Sequence, residues 1–559
     1  MKKTLSVILT LCMLLGLCSF SVAAAPEGTA ITDAAGFAAM DPAGTYYLAN
    51  DITVDATYAG VFAGVLDGNG KTITTSALLF EQIGSATIKN LKVAGSITTD
   101  RTTGDGAAVI AYTTASGSTV VFDNVENNCS INATAKVDTA AFIGRINWTE
   151  AEGTTVTIKN CTNNADITGG WRVAAFLAYC SGSDAADKQV HINIENCVNN
   201  GAIVSTQSYA AGFVSRFGGE ATTAGCCSLN IKNSTNNGTA KSASADVAGF
   251  VAYARAAVNI DKCVNTAEIA ATEGKNMRSA GILSTAAGLE KNDSAVHGAQ
   301  DGTKITNCIN TGKIIGTSKS AGIVAQLGCD ARAKTANVVS SCINLGEITI
   351  NAVAASGTTY LSGVVAYIYG GTDDTTMPNT VENCLNAGNI TGKVGAKADY
   401  VSGLVGYFNG TGPAIANNLN LGTITTECAD TSKFTLAFWN NNAGFTPNAV
   451  NNYSVASAGV ELLEHNTGAE KVSTTVITAA DAELVTKLGA AWKMGDKTPE
   501  PIIEGTVGGT GADFSAFVEA PDTTEPGTST PTGDSALVFA AIAAISVLGV
   551  AVVAKKREN

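Results

Sequence analysis

The sequence predicts an all-β chain wound as a right-handed parallel β-helix, a solenoid of about ten or more coils with three short strands in each. Three observations carry this. A nine-residue core, ENCVNNGAI at 195–203, returns as KNCTNNADI at 159, DKCVNTAEI at 261, TNCINTGKI at 306, SSCINLGEI at 340 and ENCLNAGNI at 382. A second signature follows it in each period: TAAFIGR at 139, VAAFLAY at 173, AAGFVSR at 210, VAGFVAY at 247 and SAGIVAQ at 320. The composition, with 59 Gly, 10 Pro and 15% charged residues, suits stacked strands and tight turns better than helices.

The second Asn of the core stands at Asn163, Asn199, Asn236, Asn265, Asn310, Asn344, Asn386 and Asn420, at spacings of 36, 37, 29, 45, 34, 42 and 34 residues. A period in this range signals a solenoid, propeller or array. Each period holds three short apolar segments and no ten-residue amphipathic stretch, which excludes the helical repeats; a propeller blade needs four strands and tight hairpins. At roughly 4.8 Å per coil, the stack is on the order of 50 Å long. Weaker copies at KNLKVAGSI (89–97) and DNVENNCSI (123–131) extend the series upstream.

The repeated Asn has a structural role in this reading. Asn tolerates positive φ at a corner, and its amide can bond to the same amide one coil away. Cys161, Cys197, Cys263, Cys308, Cys342 and Cys384 share one column, with Ser234 and Asn418 substituting. A metal site would need His or paired CxxC ligands nearby, and the chain has three His, at 191, 297 and 465. Small packed residues explain the column without metal or cofactor. Cys226 and Cys227 fall off it, in an expected loop.

The N-terminus pairs Lys2 and Lys3 with an apolar run and a small-residue site, a secretory signal over 1–24. The repeat domain is expected over 25–452. A capping segment over 453–504 contains an expected amphipathic helix at 477–492, N-capped by Thr478, to cover the edges of the last coil. The Gly-, Thr- and Pro-rich 505–534 reads as a flexible, disordered linker. The uncharged run within 535–559, followed by Lys555-Lys556-Arg557, reads as one transmembrane helix with a cytoplasmic tail. Pro531, Thr532 and Gly533 resemble a sortase signal, though no residue separates Pro531 from Thr532 and Thr530 replaces the usual Leu. Both a simple membrane anchor and a sortase link to peptidoglycan remain open.

From about 44 to 504 the chain resembles the GLUG-repeat family of bacterial surface proteins, whose Asn-Cys-any-Asn-any-Gly-any-Ile core is followed by an Ala-Gly-apolar segment. The resemblance implies a pectate-lyase-like parallel β-helix displayed on a Gram-positive surface. It implies little about activity, because such scaffolds serve adhesins and polysaccharide lyases alike.

Removing the terminal charged residues leaves 29 basic against 47 acidic groups, a sign that disfavours nucleic acid and anionic polymers. A lyase or hydrolase needs clustered carboxylates; Asp51, Asp67, Asp261, Asp373 and Asp374 are scattered, and Glu195 and Glu382 share a column with Lys159, Lys232 and Thr306. One column is suggestive: Tyr112, Arg145, Tyr179, Arg216, Tyr253, Thr285, Gln326, Tyr367 and Tyr407. Facing outward, it would stack on sugar rings or grip a protein; turned sideways, it would fill the corner between two faces. The expected function is an adhesin or a module binding a host or dietary glycan or surface protein. A carbohydrate-active enzyme and a ligand-free stalk are the alternatives.

Overall fold

A computed structural model describes residues 26–99, 101, 106–147, 152–182, 189–218, 227–273, 277–287, 302–328, 336–350, 358–369, 379–392, 400–409, 414–426, 434–435, 438–440, 448–455, 474–476, 483–495, 498–505 and 507–508. All belong to the first of two units, 1–520 and 521–559. The signal segment, the sorting-like Pro531, Thr532 and Gly533, and the anchor lie outside the described residues. Among those described, no helix is long and apolar enough to cross a membrane.

The described chain is all-β, built from parallel sheets in the manner of a β-helix-like solenoid. A repeat such as 155–180 makes five short strands on four faces. Thr155–Lys159 lies on face 1, Thr162–Asn163 and Ile167–Gly169 on face 2, Val173–Ala174 on face 3 and Leu177–Cys180 on face 4. Faces 1, 3 and 4 run to 14, 10 and 12 strands. Pairing is parallel and residue-for-residue: Ile158 on Ile194, Ile194 on Ile231, Ile231 on Ile260. This departs from three strands per coil, because the Ala-Gly segment is bent in its middle and its halves join different sheets.

A small residue stands at the bend, Ala at 141 and 175 and Gly at 212, 249, 281, 322 and 363. A Cβ added to Gly281 would lie 2.4 Å from Cγ of Asn310, and one on Gly322 would lie 2.1 Å from Cγ of Asn344. Only a residue with little or no side chain lets the bend press against the Asn row of the neighbouring repeat. The next residue turns into the core, where Phe142, Phe176, Phe213 and Phe250 stack with centroids 5.0, 4.7 and 4.5 Å apart. Ile282, Ile323, Val364 and Leu404 continue this buried row.

The two tasks expected of one Asn are divided between two residues. Positive φ, 45–56°, falls on the residue before the Cys position: Asn160, Asn196, Asn233, Lys262, Asn307, Ser341, Asn383 and Asn417. The second Asn lies in a strand and makes the ladder. The two tasks are separable because left-handed backbone is needed where the chain leaves face 1, three residues before the amides stack.

Both ends carry small additions. Near the N-terminus, helix α1 (Ala34–Ala38) is capped by Asp33, which accepts from the Gly36 amide at 2.8 Å, and it buries Phe37 against Tyr58 and Phe80. Among the described residues, helix α2 spans Leu484–Leu488 and stops at Gly489, whose φ is +98°, before the expected end at 492. Trp492 then opens a strand, Trp492–Met494, paired antiparallel with Pro499–Pro501. Thr478 lies outside the described residues.

Thr474–Val476 pairs onto the edge strand Asn452–Ser454, but the described segment from Leu484 onward leaves that edge. It forms a strap along the outside of face 2, where Leu484, Leu488, Trp492 and Val507 pack with Val264, Ile309, Ile343, Leu385 and Leu419. Its far end is fixed well back along the solenoid, with the Gly508 amide donating to Lys262 O and Thr235 Oγ1 donating to Gly508 O. The reason is apolar cover. The outward row of face 2 reads Lys92, Glu126, Thr162 and Val198 before the strap and Val264, Ile309, Ile343, Leu385, Leu419 and Tyr453 beneath it.

Candidate functional site

The Arg and Tyr column lies on face 4, in register from Arg145 through Tyr179, Arg216, Tyr253, Thr285 and Gln326 to Tyr367, with Tyr407 one repeat further on. Tyr112 is out of step. Ala111 pairs with Ile143, so the residue level with Arg145 is Thr113. The alignment of GAAVIAY on TAAFIGR slips by one residue, although the large Tyr112 ring still lies under Arg101 at 4.4 Å.

Facing this column across the bend is a second one on face 3: Asp138, Arg172, Tyr209, Asp246, Arg278, Lys319, Tyr360 and Tyr400. The bend turns the outer sides of faces 3 and 4 toward each other, and the two columns interlock. Sequence reading missed the second column. Its signal was present, since each member stands seven residues before its face-4 counterpart, as Arg172 before Tyr179 and Lys319 before Gln326.

The two columns gather the chain's Arg and Tyr. All six arginines among the described residues, Arg101, Arg145, Arg172, Arg216, Arg255 and Arg278, lie on or beside this corner, as do nine of the 13 tyrosines. An overall acidic composition had hidden this local concentration.

From Asp138 to Gln326 the corner is packed with charged and polar groups, of which Arg145, Tyr209 and Arg278 are half-buried. Asp138 is 0% exposed and accepts from Arg172 Nε at 2.6 Å, with Arg145 Nε 3.7 Å away. Burial pushes its carboxyl above the ordinary range, against the opposing pull of Arg172, Arg145 and Arg216. The Arg172 guanidinium lies 3.7 Å over the Tyr179 ring, and Arg216 lies 5.4 Å over that of Tyr253. Asp246 accepts from Thr285 Oγ1 at 2.7 Å and pairs with Arg278 at 3.1 Å, while Arg278 Nε donates to Gln326 at 2.8 Å. Tyr179 is 5% exposed and Arg216 8%. These residues fill the corner between faces.

The C-terminal end differs. Lys319, Tyr360, Tyr367, Tyr369 and Tyr407 are half-buried. Tyr360 stacks on Tyr400 at 5.1 Å and 6°, Tyr367 stacks on Tyr407 at 5.2 Å and 20°, and the two stacks meet edge to face. Lys319 lies 4.7 Å over Tyr367. Burial, reinforced by Tyr367, Tyr407 and Tyr400, raises the Tyr360 phenol well above its ordinary value. Each stack occupies one face of each of its rings.

The Asn row forms an unbroken ladder. Each Nδ2 donates to the next Oδ1 at 2.7–2.8 Å from Asn163 to Asn420, and also to the backbone carbonyl two residues on at 2.9–3.1 Å. The structure adds Asn127 above and Ser454 below. Cys161, Cys197, Cys263, Cys308, Cys342 and Cys384 are buried and none is in a disulfide; the Cys308 thiol faces the Ile260 and Thr306 carbonyls. Burial raises the Cys197, Cys308 and Cys384 thiols well above the usual range. Cys227 is not in a loop: it opens the strand Cys227–Lys232, buried against Val190, because its side chain continues the apolar row of face 1.

Among the described residues, the acidic candidates do not converge. Asp67 pairs with Lys89 at 3.4 Å and accepts from the Asn69 amide within a turn. The face-1 column alternates Asp123, Lys159, Glu195, Lys232 and Asp261. Among the described residues, no group of three His, Cys, Asp or Glu is placed to hold a metal ion. Asp373 and Asp374 lie outside those residues. No protein-family model, curated protein or solved structure matches the chain.

Proposed function

We propose that this chain is an exported, envelope-anchored binding protein of the adhesin type, a GLUG-type right-handed β-helix of ten or more coils that grips a ligand at the tyrosine end of its Arg and Tyr corner. The observation that carries the reading is the half-buried cluster of Tyr360, Tyr367, Tyr369 and Tyr407 beside Lys319, at the end of the corner where tyrosines take the place of its Asp–Arg pairs. Tyr and Arg in a rigid, largely desolvated setting make up the composition of binding hot spots. Side chains already locked by stacking lose little entropy on binding. Export, with a C-terminal membrane anchor or a sortase link, belongs to the same proposal.

The test is retention of ligands from a protein panel and a glycan array, with release of products scored in parallel. Retention by the unchanged chain, lost in a Tyr367→Ala/Tyr407→Ala variant that keeps its β-sheet spectrum, supports the reading. Turnover of a polysaccharide would favour the enzyme alternative. Binding that survives the double substitution would move the site elsewhere.

A further inference from the structure

The strap joins three facts. It covers the stretch of face 2 whose outward row is apolar, Val264, Ile309, Ile343, Leu385 and Leu419. It runs back along the solenoid, from Leu484 in the cluster that holds Tyr453 and Val455 to Gly508 at Lys262 and Thr235. Its polar fastenings among the described residues are spread out and include three bonds: Trp492 Nε1 donates to Asn417 O at 3.0 Å, the Gly508 amide donates to Lys262 O at 2.8 Å, and Thr235 Oγ1 donates to Gly508 O at 2.7 Å. Gly508 has φ +72°, and a Cβ there would lie 2.6 Å from Thr235 Oγ1, so the last fastening needs a residue without a side chain.

We propose that the strap is a mechanical latch. Tension on the chain beyond Gly508 enters the molecule at the repeat of Lys262 and not at its last repeat. The strap must therefore peel away before the repeats beneath it, from Lys262 onward, can unwind from the C-terminal side. Without it, a pull toward the C-terminus would act directly on the terminal strand Thr474–Val476, which is held on one side by Asn452–Ser454. Each repeat lost would expose the next, since a solenoid is stabilised by contacts between neighbours. The latch shelters the repeats that carry Tyr360, Tyr367, Tyr400 and Tyr407.

The test is single-molecule stretching of the full chain by handles at its two ends. The expected record has a discrete event that lengthens the chain by at least roughly 90 Å, the extended span of Glu483 to Gly508 at about 3.6 Å per residue, with the shift of the loaded point to the last repeat added, before the repeats beneath the strap unwind. Gly508→Ala and Thr235→Val, which disturb only the far fastening, should lower the force of that event and leave the later ones unchanged. Leu488→Ala/Trp492→Ala should abolish it. The proposal is overturned if the repeats beneath the strap unwind in the unchanged chain with no separate event before them, or if that event ignores both Gly508→Ala and Thr235→Val. The two milder variants keep the test decisive should the double variant fail to fold.

Discussion

Asn310 donates its side-chain amide to Asn344 at 2.8 Å while accepting from Asn265 at 2.7 Å, so its removal strands a donor on one side and an acceptor on the other. Each buried group left without a partner costs roughly 1–3 kcal/mol. Asn310→Ala should therefore lower the unfolding midpoint in urea more than Cys308→Ala. The Cys308 thiol makes weaker bonds, and its loss leaves a small cavity. Equal effects from the two variants would show that the ladder adds nothing beyond packing.

Gly322→Ala tests the bend separately. The new methyl would overlap Asn344 and approach Gly363 O at 2.5 Å. We expect a loss of stability comparable with that of Asn310→Ala, because the same amides are pushed apart. Additive effects in the double variant Gly322→Ala/Asn310→Ala would contradict this, since a shared cause predicts that the second substitution adds little.

Asp138 and Arg172 form a buried pair in which each justifies the other. Arg172→Ala should destabilise the chain by about 3–5 kcal/mol, because a carboxylate stays behind in a dry corner. Asp138→Asn combined with Arg172→Gln should be milder. Thermal melts of the single and double variants check this, and a double variant worse than Arg172→Ala would refute it.

Alkali should act on the fold through groups that burial keeps neutral. The Cys129 and Cys180 thiols and the Tyr209 phenol are each pushed up to about 12. A raised folded-state value leaves the group's contribution intact below its unfolded value, about 8.5 for Cys and 10 for Tyr, and removes it as pH climbs past that toward the folded value. Stability should thus decline from about pH 9 upward. At about pH 8.5, Cys129 and Cys180 should resist a thiol reagent in the folded chain and react once urea unfolds it. Reaction of either in the folded state would refute the burial argument.

Much of the scaffold was legible because in-register stacking writes one structural position as one sequence column. The Asn ladder and the Cys column could be read off the repeats, and so could the alternating Lys159, Glu195 and Lys232. The bend was not legible, since an Ala-Gly pair followed by Phe reads as one apolar segment whether it runs straight or folds over. With the bend hidden, Arg172 and Tyr179 showed no sign of facing one another. The one-residue slip at Tyr112 has a related cause: Ala107, Ala108 and Val109 offer two alignments on Thr139 to Phe142, and only strand pairing chooses between them. The strap was misplaced because the apolar Val264, Ile309 and Ile343 fit either an inward or a covered outward position.

Successive ladder residues lie anywhere from 29 to 45 positions apart in the chain, yet the bond between them stays at 2.7–2.8 Å. All variation in length has been exiled to the connections between strands, so the scaffold places little restraint on what those connections contain. A gene for such a chain can lengthen or rewrite them, or duplicate a whole period, with each new copy meeting an interface it already fits. Natural variants should accordingly differ in whole periods and in connection length, with the spacing of seven between the facing columns left untouched.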